Sequence, residues 1–313
     1  MTTSDIRSLP SLDSCPGQAS PSVDGDVAHL ALTAMTEAEM ASMRAEAGDT
    51  VIFRNGRYWR ATFPGFYQPV HLLEGLRPAE LRRPTALCWG YRAALDAEAA
   101  HLANGSIPVF LLTDVQQFAE SSLYRNRKGD LRKCRREVEI GWLKDRSILL
   151  EQGYSVYLSS MRRLAYRRPC SEKDYQETMR RRALDERRLI VVGLIDGRLG
   201  GYMESFAVGS VLYADELIVS TEAMRTGIGT GLYVETIKIG ARSPSVRVIC
   251  VGFETPERPG LSVMKEGLGF RVVHIPARVV IPGPLEAMIK VVRPATHYRL
   301  RGVRSAPTEN AGE

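Results

Sequence analysis

The stretch Asp215-Glu-Leu-Ile-Val-Ser-Thr-Glu-Ala-Met-Arg-Thr-Gly-Ile-Gly-Thr-Gly231 decides the fold of this chain. An apolar strand pattern runs into a glycine-rich turn, residues 227–231, and an amphipathic helix pattern follows to about Gly240. N–H groups at the start of a helix have no partner within the helix and lie at the positive end of its dipole. Since glycines let an anion approach these groups closely, the glycine-rich turn predicts a diphosphate-binding site.

Two other nucleotide-binding motifs do not fit the glycine-rich turn. A P-loop requires Lys followed by Ser or Thr after its last glycine, where this chain has Leu232 and Tyr233. The dinucleotide fingerprint requires a third glycine at the position of Leu232, within a parallel βαβ unit. The strands before this turn are instead predicted to be antiparallel, which excludes the dinucleotide motif on topology.

The second half of the chain predicts three antiparallel strands followed by alternating helices and strands. The tight-turn pairs Asp196-Gly197 and Gly209-Ser210 separate the first three strand patterns. The order predicts an α+β fold, a mixed and largely antiparallel sheet flanked by helices. The predicted elements are a helix from Ser171 to about Arg187, strands Leu189–Ile195, Leu199–Phe206, Val211–Val219, Val246–Phe253 and Arg271–Ile281, and helices Gly229–Gly240 and Pro259–Glu266.

This order of elements, with Ala214–Val219 before Gly227-Ile-Gly229 and the later Glu266-Gly-Leu-Gly-Phe270, resembles the GNAT superfamily of acyl-CoA-dependent N-acyltransferases. The resemblance covers roughly Ser171–Ile281. It implies acetyl-CoA or another acyl-CoA as co-substrate. It also implies acyl transfer to a primary amine of a small molecule, such as an amino sugar or an amino acid.

The resemblance also implies site residues. The end of the strand would pair with the pantetheine arm and polarise the thioester carbonyl, and the turn would hold the diphosphate. The implied cofactor-binding residues are Leu217, Ile218, Val219, Arg225, Thr226, Gly227, Ile228, Gly229, Thr230 and Gly231. The attacking amine must lose a proton, so a carboxylate is the natural base. Glu216 is the first candidate, and Glu204 and Glu254, each at a strand end, are the next.

Two positions depart from the family pattern. The Gln or Arg that precedes the glycines in the family falls on Met224, with Arg225 one place later. The tyrosine that many members use as general acid falls on Lys265. Because lysine is rarely buried, we expect Lys265 to be solvated and leave the general acid unassigned.

The first half predicts an N-terminal lobe over residues 31–165. Asn55-Gly56 predicts a β-hairpin, and Pro108–Thr113 predicts a buried strand. The segment Leu123–Leu150 is helical in composition, and Tyr154–Ser159 alternates like a strand.

The most basic segment, Tyr124–Glu137, lies within this lobe. A basic helix, a strand and an arginine-rich segment in this order loosely resemble Fem-type peptidyltransferases, in which two GNAT-like lobes occur and the first is degenerate. The basic segment could bind tRNA phosphates or an anionic acceptor. The simpler interpretation is a solvated helix face.

Composition limits the remaining possibilities. The GNAT-like domain is predicted over residues 166–304, and the Ser-, Pro- and Gly-rich residues 1–30 and the end, 305–313, are predicted to be disordered tails. No apolar run reaches the roughly 18 residues of a membrane span, and no signal peptide is recognisable, so a cytoplasmic location is expected. Neither the five cysteines nor the five histidines have metal-site spacing.

Three functions remain open at this point. The first is a GNAT-type N-acyltransferase. The second is a Fem-like transferase that takes its acyl group from charged tRNA. The third is a non-catalytic sensor that binds acyl-CoA without turnover. The net charge of +6 favours an anionic partner for all three. The acyl chain, the acceptor and the oligomeric state are not predicted.

Overall fold

The computed structural model of the chain describes residues 23–165, 168–181 and 188–302. Within these ranges, helices flank one 12-stranded sheet. The strands are β1 Val23–Asp24, β2 Val51–Arg54, β3 Arg57–Phe63, β4 Phe66–Pro69, β5 Gly90–Ala94, β6 Gly105–Leu112, β7 Glu139–Leu143, β8 Arg188–Ile195, β9 Arg198–Val208, β10 Val211–Val219, β11 Val248–Phe253 and β12 Arg271–Val280. The α-helices are α1 Glu37–Glu46, α2 Arg125–Glu137, α3 Tyr154–Leu164, α4 Glu172–Arg181, α5 Ile228–Arg242, α6 Pro259–Gly267, α7 Gly283–Val292 and α8 Pro294–Arg301.

The strand order in the sheet is β1-β7-β8-β9-β10-β11-β6-β12-β5-β4-β3-β2. Neighbouring strands are antiparallel except for the parallel pairs β10/β11 and β4/β5. The predicted α+β fold with a largely antiparallel sheet is therefore confirmed. Strand β6 from the first half lies between β11 and β12 from the second half. The two predicted lobes thus share one sheet, and their boundary near residue 165 stays a prediction.

The predicted hairpins form at the predicted turns. Asn55 and Gly56, between β2 and β3, have φ angles of 53° and 75°. Asp196 and Gly197, between β8 and β9, have φ angles of 49° and 72°. Two consecutive positive φ angles match the twist of the flanking strands, and Gly, Asn and Asp adopt them at the least cost. These local signals therefore fix the register of both hairpins.

Helices cover both faces of the sheet around β9. On one face, Leu232 and Ile237 of α5 pack in a buried cluster that includes Met203 of β9. On the other face, Tyr175 of α4 belongs to a second buried cluster with Tyr202 of β9. Because successive strand residues point to opposite faces, Tyr202 and Met203 serve different layers. Strand β9, the neighbour of β10, is therefore covered by helices on both faces.

Two segments differ from their predicted structure. Tyr154–Ser159, predicted as a strand, is the beginning of α3. Tyr157 and Met161, four residues apart, are both buried, which is the spacing of a helix rather than of a strand. The predicted helical segment Leu123–Leu150 contains α2, but it also contains β7, which pairs with β8 and extends the sheet.

The N-terminal tail is shorter than predicted. Val23 in β1 pairs with Leu143 in β7. Arg242 at the end of α5 donates a hydrogen bond from Nε to the Leu30 carbonyl at 3.0 Å. Residues 23–30 are therefore ordered by partners that their own composition does not reveal. The other predicted tail residues, 1–22 and 305–313, lie outside the described residues.

Helix α2 packs against α5 at two glycines of the glycine-rich turn. A Cβ on Gly227 would lie closer than 3.0 Å to the backbone oxygen of Asp130. A Cβ on Gly231 would lie equally close to the Sγ atom of Cys134. Gly227 also has a φ of 77°, which disfavours any side chain. Two of the three glycines are therefore required by the turn and by the close approach of the helices.

We expect Gly231→Ala to lower the free energy of unfolding by about 1–3 kcal/mol, because the added methyl group has no room beside Cys134. Gly129→Ala in α2 is the matched control, since a Cβ there has nothing within 4 Å. This control should instead raise stability by about 0.5–1 kcal/mol. Urea unfolding of both variants measures the difference, and equal stabilities would contradict the packing.

Candidate functional site

Strands β10 and β11 are parallel neighbours that pair at only a few positions. Val211–Tyr213 of β10 lie opposite Val248–Cys250 of β11. Beyond them, β10 stays paired with β9 as far as Val219. Strand β11 pairs instead with β6, where Phe253 lies opposite Val109. The two strands therefore diverge after Tyr213 and Cys250, and we call the opening between them the β10–β11 cleft.

The glycine-rich turn lies where the chain leaves β10 and begins α5. The Gly231 N–H donates to the Gly227 carbonyl at 3.1 Å, which is the first hydrogen bond of the helix. The N–H groups of residues 228–230 precede this bond and have no acceptor within the helix. A Cβ on Gly229 would meet only Leu217 Cδ2, at 3.9 Å. Gly229 thus faces open space beside β10, unlike the two glycines under α2.

The other predicted cofactor-binding residues differ in exposure. Arg225 is exposed and Leu217 is half-buried. Thr226 is buried, and its Oγ1 donates to the Ala223 carbonyl at 2.8 Å, which closes the short 3₁₀ turn before α5. The remaining predicted residues, Ile218, Val219, Gly227, Ile228, Thr230 and Gly231, are buried. These buried residues can offer a ligand backbone groups only, and their role stays a prediction.

Helix α2 brings two charged groups to the first turn of α5. Arg127 Nη1 lies 3.4 Å from Thr230 Oγ1 and 2.9 Å from Asp130 Oδ2. A carboxylate at this end of a helix is stabilised by the helix dipole. Arg127 is compensated by Asp130, so the two charges together lie beside Thr230. The sequence did not reveal this contact, because Arg127 and Thr230 are 103 residues apart.

The three predicted base candidates lie in different environments. Glu216 of β10 is half-buried and lies opposite Glu204 of β9, just after a β-bulge. Glu204 is fully buried and forms an ion pair with Arg188, which is also buried. Glu254, directly after β11, is buried and accepts a hydrogen bond from the Tyr298 hydroxyl of α8. Glu216 and Glu254 therefore flank the cleft on its two strands, and Glu204 lies one strand away.

Arg188 and Tyr298 were not predicted. A cationic partner for Glu204 could be expected, because this glutamate lies in an otherwise apolar strand and a buried charge is rarely left unpaired. Tyr298 had no comparable signal. It reaches Glu254 only because α8 folds back against β6, a contact that no local pattern specifies.

Lys265 was expected to be solvated, and this prediction was wrong. Its side chain lies in α6 and the residue is only 4% exposed. The Nζ atom lies 4.6 Å from the centre of the Phe110 ring in β6, where a cation–π contact offsets part of the cost of burial. Burial lowers the pKa of Lys265 to about 8, and the electrostatic influence of the nearby Cys250 side chain acts in the opposite direction. The amine therefore lies against β6, the outer neighbour of β11 in the sheet.

No protein-family model matches the chain, and no curated protein matches its sequence. Solved structures do match. FemX aligns with a TM-score of 0.57 at 10% identity over 85% of this chain and 96% of FemX. The C-terminal DUF2156 domain of a putative lysylphosphatidylglycerol synthetase from Agrobacterium fabrum gives 0.53 at 12% identity, over 86% and 99%. L-PGS from Bacillus licheniformis gives 0.52 at 11% identity, over 89% and 99%.

These matches show that the chain shares the overall fold of FemX and of the two other proteins. At such low identity they show the fold and assign no residue a role. No helix in the described ranges is long and apolar enough to cross a membrane. Among the same residues, no group of three His, Cys, Asp or Glu is arranged to hold a metal ion.

Because its pKa is lowered by burial, charged Lys265 reduces the free energy of unfolding, and the size of this effect depends on pH. The cost is complete below pH 8 and disappears as the pH rises towards the ordinary lysine value of 10.5. We expect Lys265→Met to raise the free energy of unfolding by about 1–3 kcal/mol at pH 7 and by less at pH 10. Lys290→Met, at an exposed position of α7, is the control and should have an effect below about 0.5 kcal/mol. Urea unfolding at both pH values checks this, and a gain independent of pH would contradict it.

Proposed function

We propose that this chain is an N-acyltransferase that moves an acyl group from acetyl-CoA or another acyl-CoA to a primary amine. The β10–β11 cleft carries the proposal. A helix N-terminus follows β10, Glu216 lies on β10 and Glu254 directly after β11, and a buried lysine of α6 lies against β6. Each of these parts matches one requirement of amide formation from a thioester.

The donor binds along the cleft. The pantetheine arm pairs with the edge of β10 that β11 leaves beyond Tyr213, as an added strand would. The diphosphate binds the N–H groups of residues 228–230 on the open side of Gly229. Among the predicted cofactor-binding residues, the exposed Arg225 is the cation available to the diphosphate.

The amine enters beside Glu216, which accepts its proton as the nitrogen attacks the thioester carbonyl carbon. A backbone N–H within Leu217–Val219 donates to the oxyanion that forms. The C–N bond forms, the C–S bond breaks, and the products are an amide and the thiol of coenzyme A. Lys265 donates the proton to the departing thiolate. Its pKa of about 8 is close to that of a thiol, so the transfer is nearly balanced.

We expect the protein to bind acyl-CoA with a Kd on the order of micromolar in calorimetric titrations with acetyl-CoA and longer acyl-CoAs. Gly229→Trp should abolish binding, because the ring fills the space beside Leu217. Gly229→Ala is the matched control and should retain binding, since its Cβ meets no atom closer than 3.9 Å. Glu216→Gln should retain binding and slow amine-dependent thiol release by about 100-fold or more.

Two results would contradict this proposal. If the wild-type protein binds no acyl-CoA, the donor is wrong. If acyl-CoA binds but no amine releases thiol, and binding is unchanged in Glu216→Gln, the chain is a sensor rather than an enzyme.

A second candidate function is aminoacyl transfer from charged tRNA. It is favoured by an open cleft at the start of α2, which is lined by Tyr124, Arg125, Asn126 and Arg132. The cleft combines an exposed aromatic ring with two guanidinium groups. Unpaired nucleotides are bound by stacking on aromatic rings and by arginine contacts to phosphates, so the 3′ end of a tRNA fits this chemistry.

If charged tRNA is the donor, the double variant Arg125→Ala/Arg132→Ala should reduce the slope of log affinity against log salt concentration by about 1–2. Arg198→Ala, at an exposed arginine of the β8–β9 hairpin, is the control and should leave the slope unchanged. Filter binding of aminoacyl-tRNA at several salt concentrations measures both. Identical slopes for Arg125→Ala/Arg132→Ala and the wild type would exclude the surface at the start of α2 as the tRNA site.

A further inference from the structure

Helix α7 exposes an apolar face to solvent. Met288, Val291 and Val292 are 55%, 81% and 68% exposed. Pro284 and Ala287 are also exposed, and they share this side of the helix with Met288 and Val291 at helical spacing. Surface helices of globular proteins ordinarily turn such a stripe towards the core. A contiguous exposed apolar stripe instead marks an interaction surface.

The polar and anionic side of α7 is turned inwards. Glu286 is half-buried and forms an ion pair with Arg301 of α8 at 2.6 Å. His297 Nε2 of α8 lies 3.3 Å from the same carboxylate. Because Glu286 is neutralised by α8, the helix presents no uncompensated negative charge. The α7–α8 pair is thus fixed with its apolar stripe outwards.

The exposed charges on α7 and directly after it are positive. Lys290, on α7, and Arg293, directly after it, are both exposed, and neither forms an ion pair within the described residues. The whole chain carries a net charge of +6. We propose that α7 docks this protein on an anionic lipid surface. The apolar stripe enters the interface and the two cations contact lipid phosphates, as in interfacial amphipathic helices.

A second copy of the chain fits this face less well. A symmetric pairing through α7 would bring two copies of Lys290 and Arg293 together, with no exposed acidic side chain on α7 to balance them. One face of a 10-residue helix is also far smaller than the roughly 800 Å² that each partner of a stable dimer buries. A lipid surface has neither requirement, since it supplies the opposite charge and takes up a single helix.

Flotation of the full chain with lipid vesicles tests the docking. Vesicles of phosphatidylcholine alone are compared with vesicles of phosphatidylcholine and phosphatidylglycerol. We expect binding to the anionic vesicles that weakens with added salt. Met288→Glu/Val291→Glu should reduce this binding at least about tenfold, because it places two charges on the inserted side. Lys290→Gln/Arg293→Gln should reduce it by a similar factor on anionic vesicles only.

Val263→Glu is the matched control, because Val263 is a 53% exposed valine on another helix, α6. It should float as the wild type does, and circular dichroism checks that every variant is folded. Three results would overturn the proposal: no flotation of the wild type, equal binding to both vesicle types, or unchanged binding of Met288→Glu/Val291→Glu. A concentration-dependent dimer in sedimentation, lost in that same variant, would also overturn it and assign the face to a second copy.

Discussion

The divergence of β10 from β11 after Tyr213 and Cys250 determines the arrangement of the candidate site. Each strand keeps a full partner on its outer side, β9 for β10 and β6 for β11, so separating them costs few hydrogen bonds. The edge groups that remain at the opening are what an extended ligand requires. A short segment with one 3₁₀ turn joins the end of β10 to the glycine-rich turn, so a strand edge is followed closely by a helix N-terminus.

The three glycines of the glycine-rich turn lie in two different environments. Gly227 and Gly231 are occupied by the contact with α2, and Gly229 alone faces open space. Residues four apart on a helix share a side, whereas a residue two positions away lies on nearly the opposite side. Close packing by α2 therefore leaves the Gly229 side of the helix start uncovered. It also brings Arg127 from the first half of the chain to within 3.4 Å of Thr230 Oγ1.

Buried charge is concentrated around the cleft. Glu204 and Arg188 form a buried ion pair beside it, and such pairs add little net stability although they fix geometry. Within the described ranges, no carboxylate raises the pKa of Lys265, so burial holds this pKa near 8 while the amine rests on an aromatic ring. A protein gains no stability from such a lysine. Perturbed amines near a cleft are characteristic of sites that move protons.

The sequence by itself determined the elements that short-range chemistry controls. The Asn55-Gly56 and Asp196-Gly197 turns, the strand before the glycine-rich turn and the helix after it follow from backbone preferences and apolar period, and together they indicated the fold. Tertiary structure alone decided that β6 separates β11 from β12, that α2 covers two of the glycines and that Lys265 is buried. The physical reason is the distance in sequence between the segments that make contact. These features depend on contacts between segments distant in the chain, and the composition or period of each segment does not specify the other.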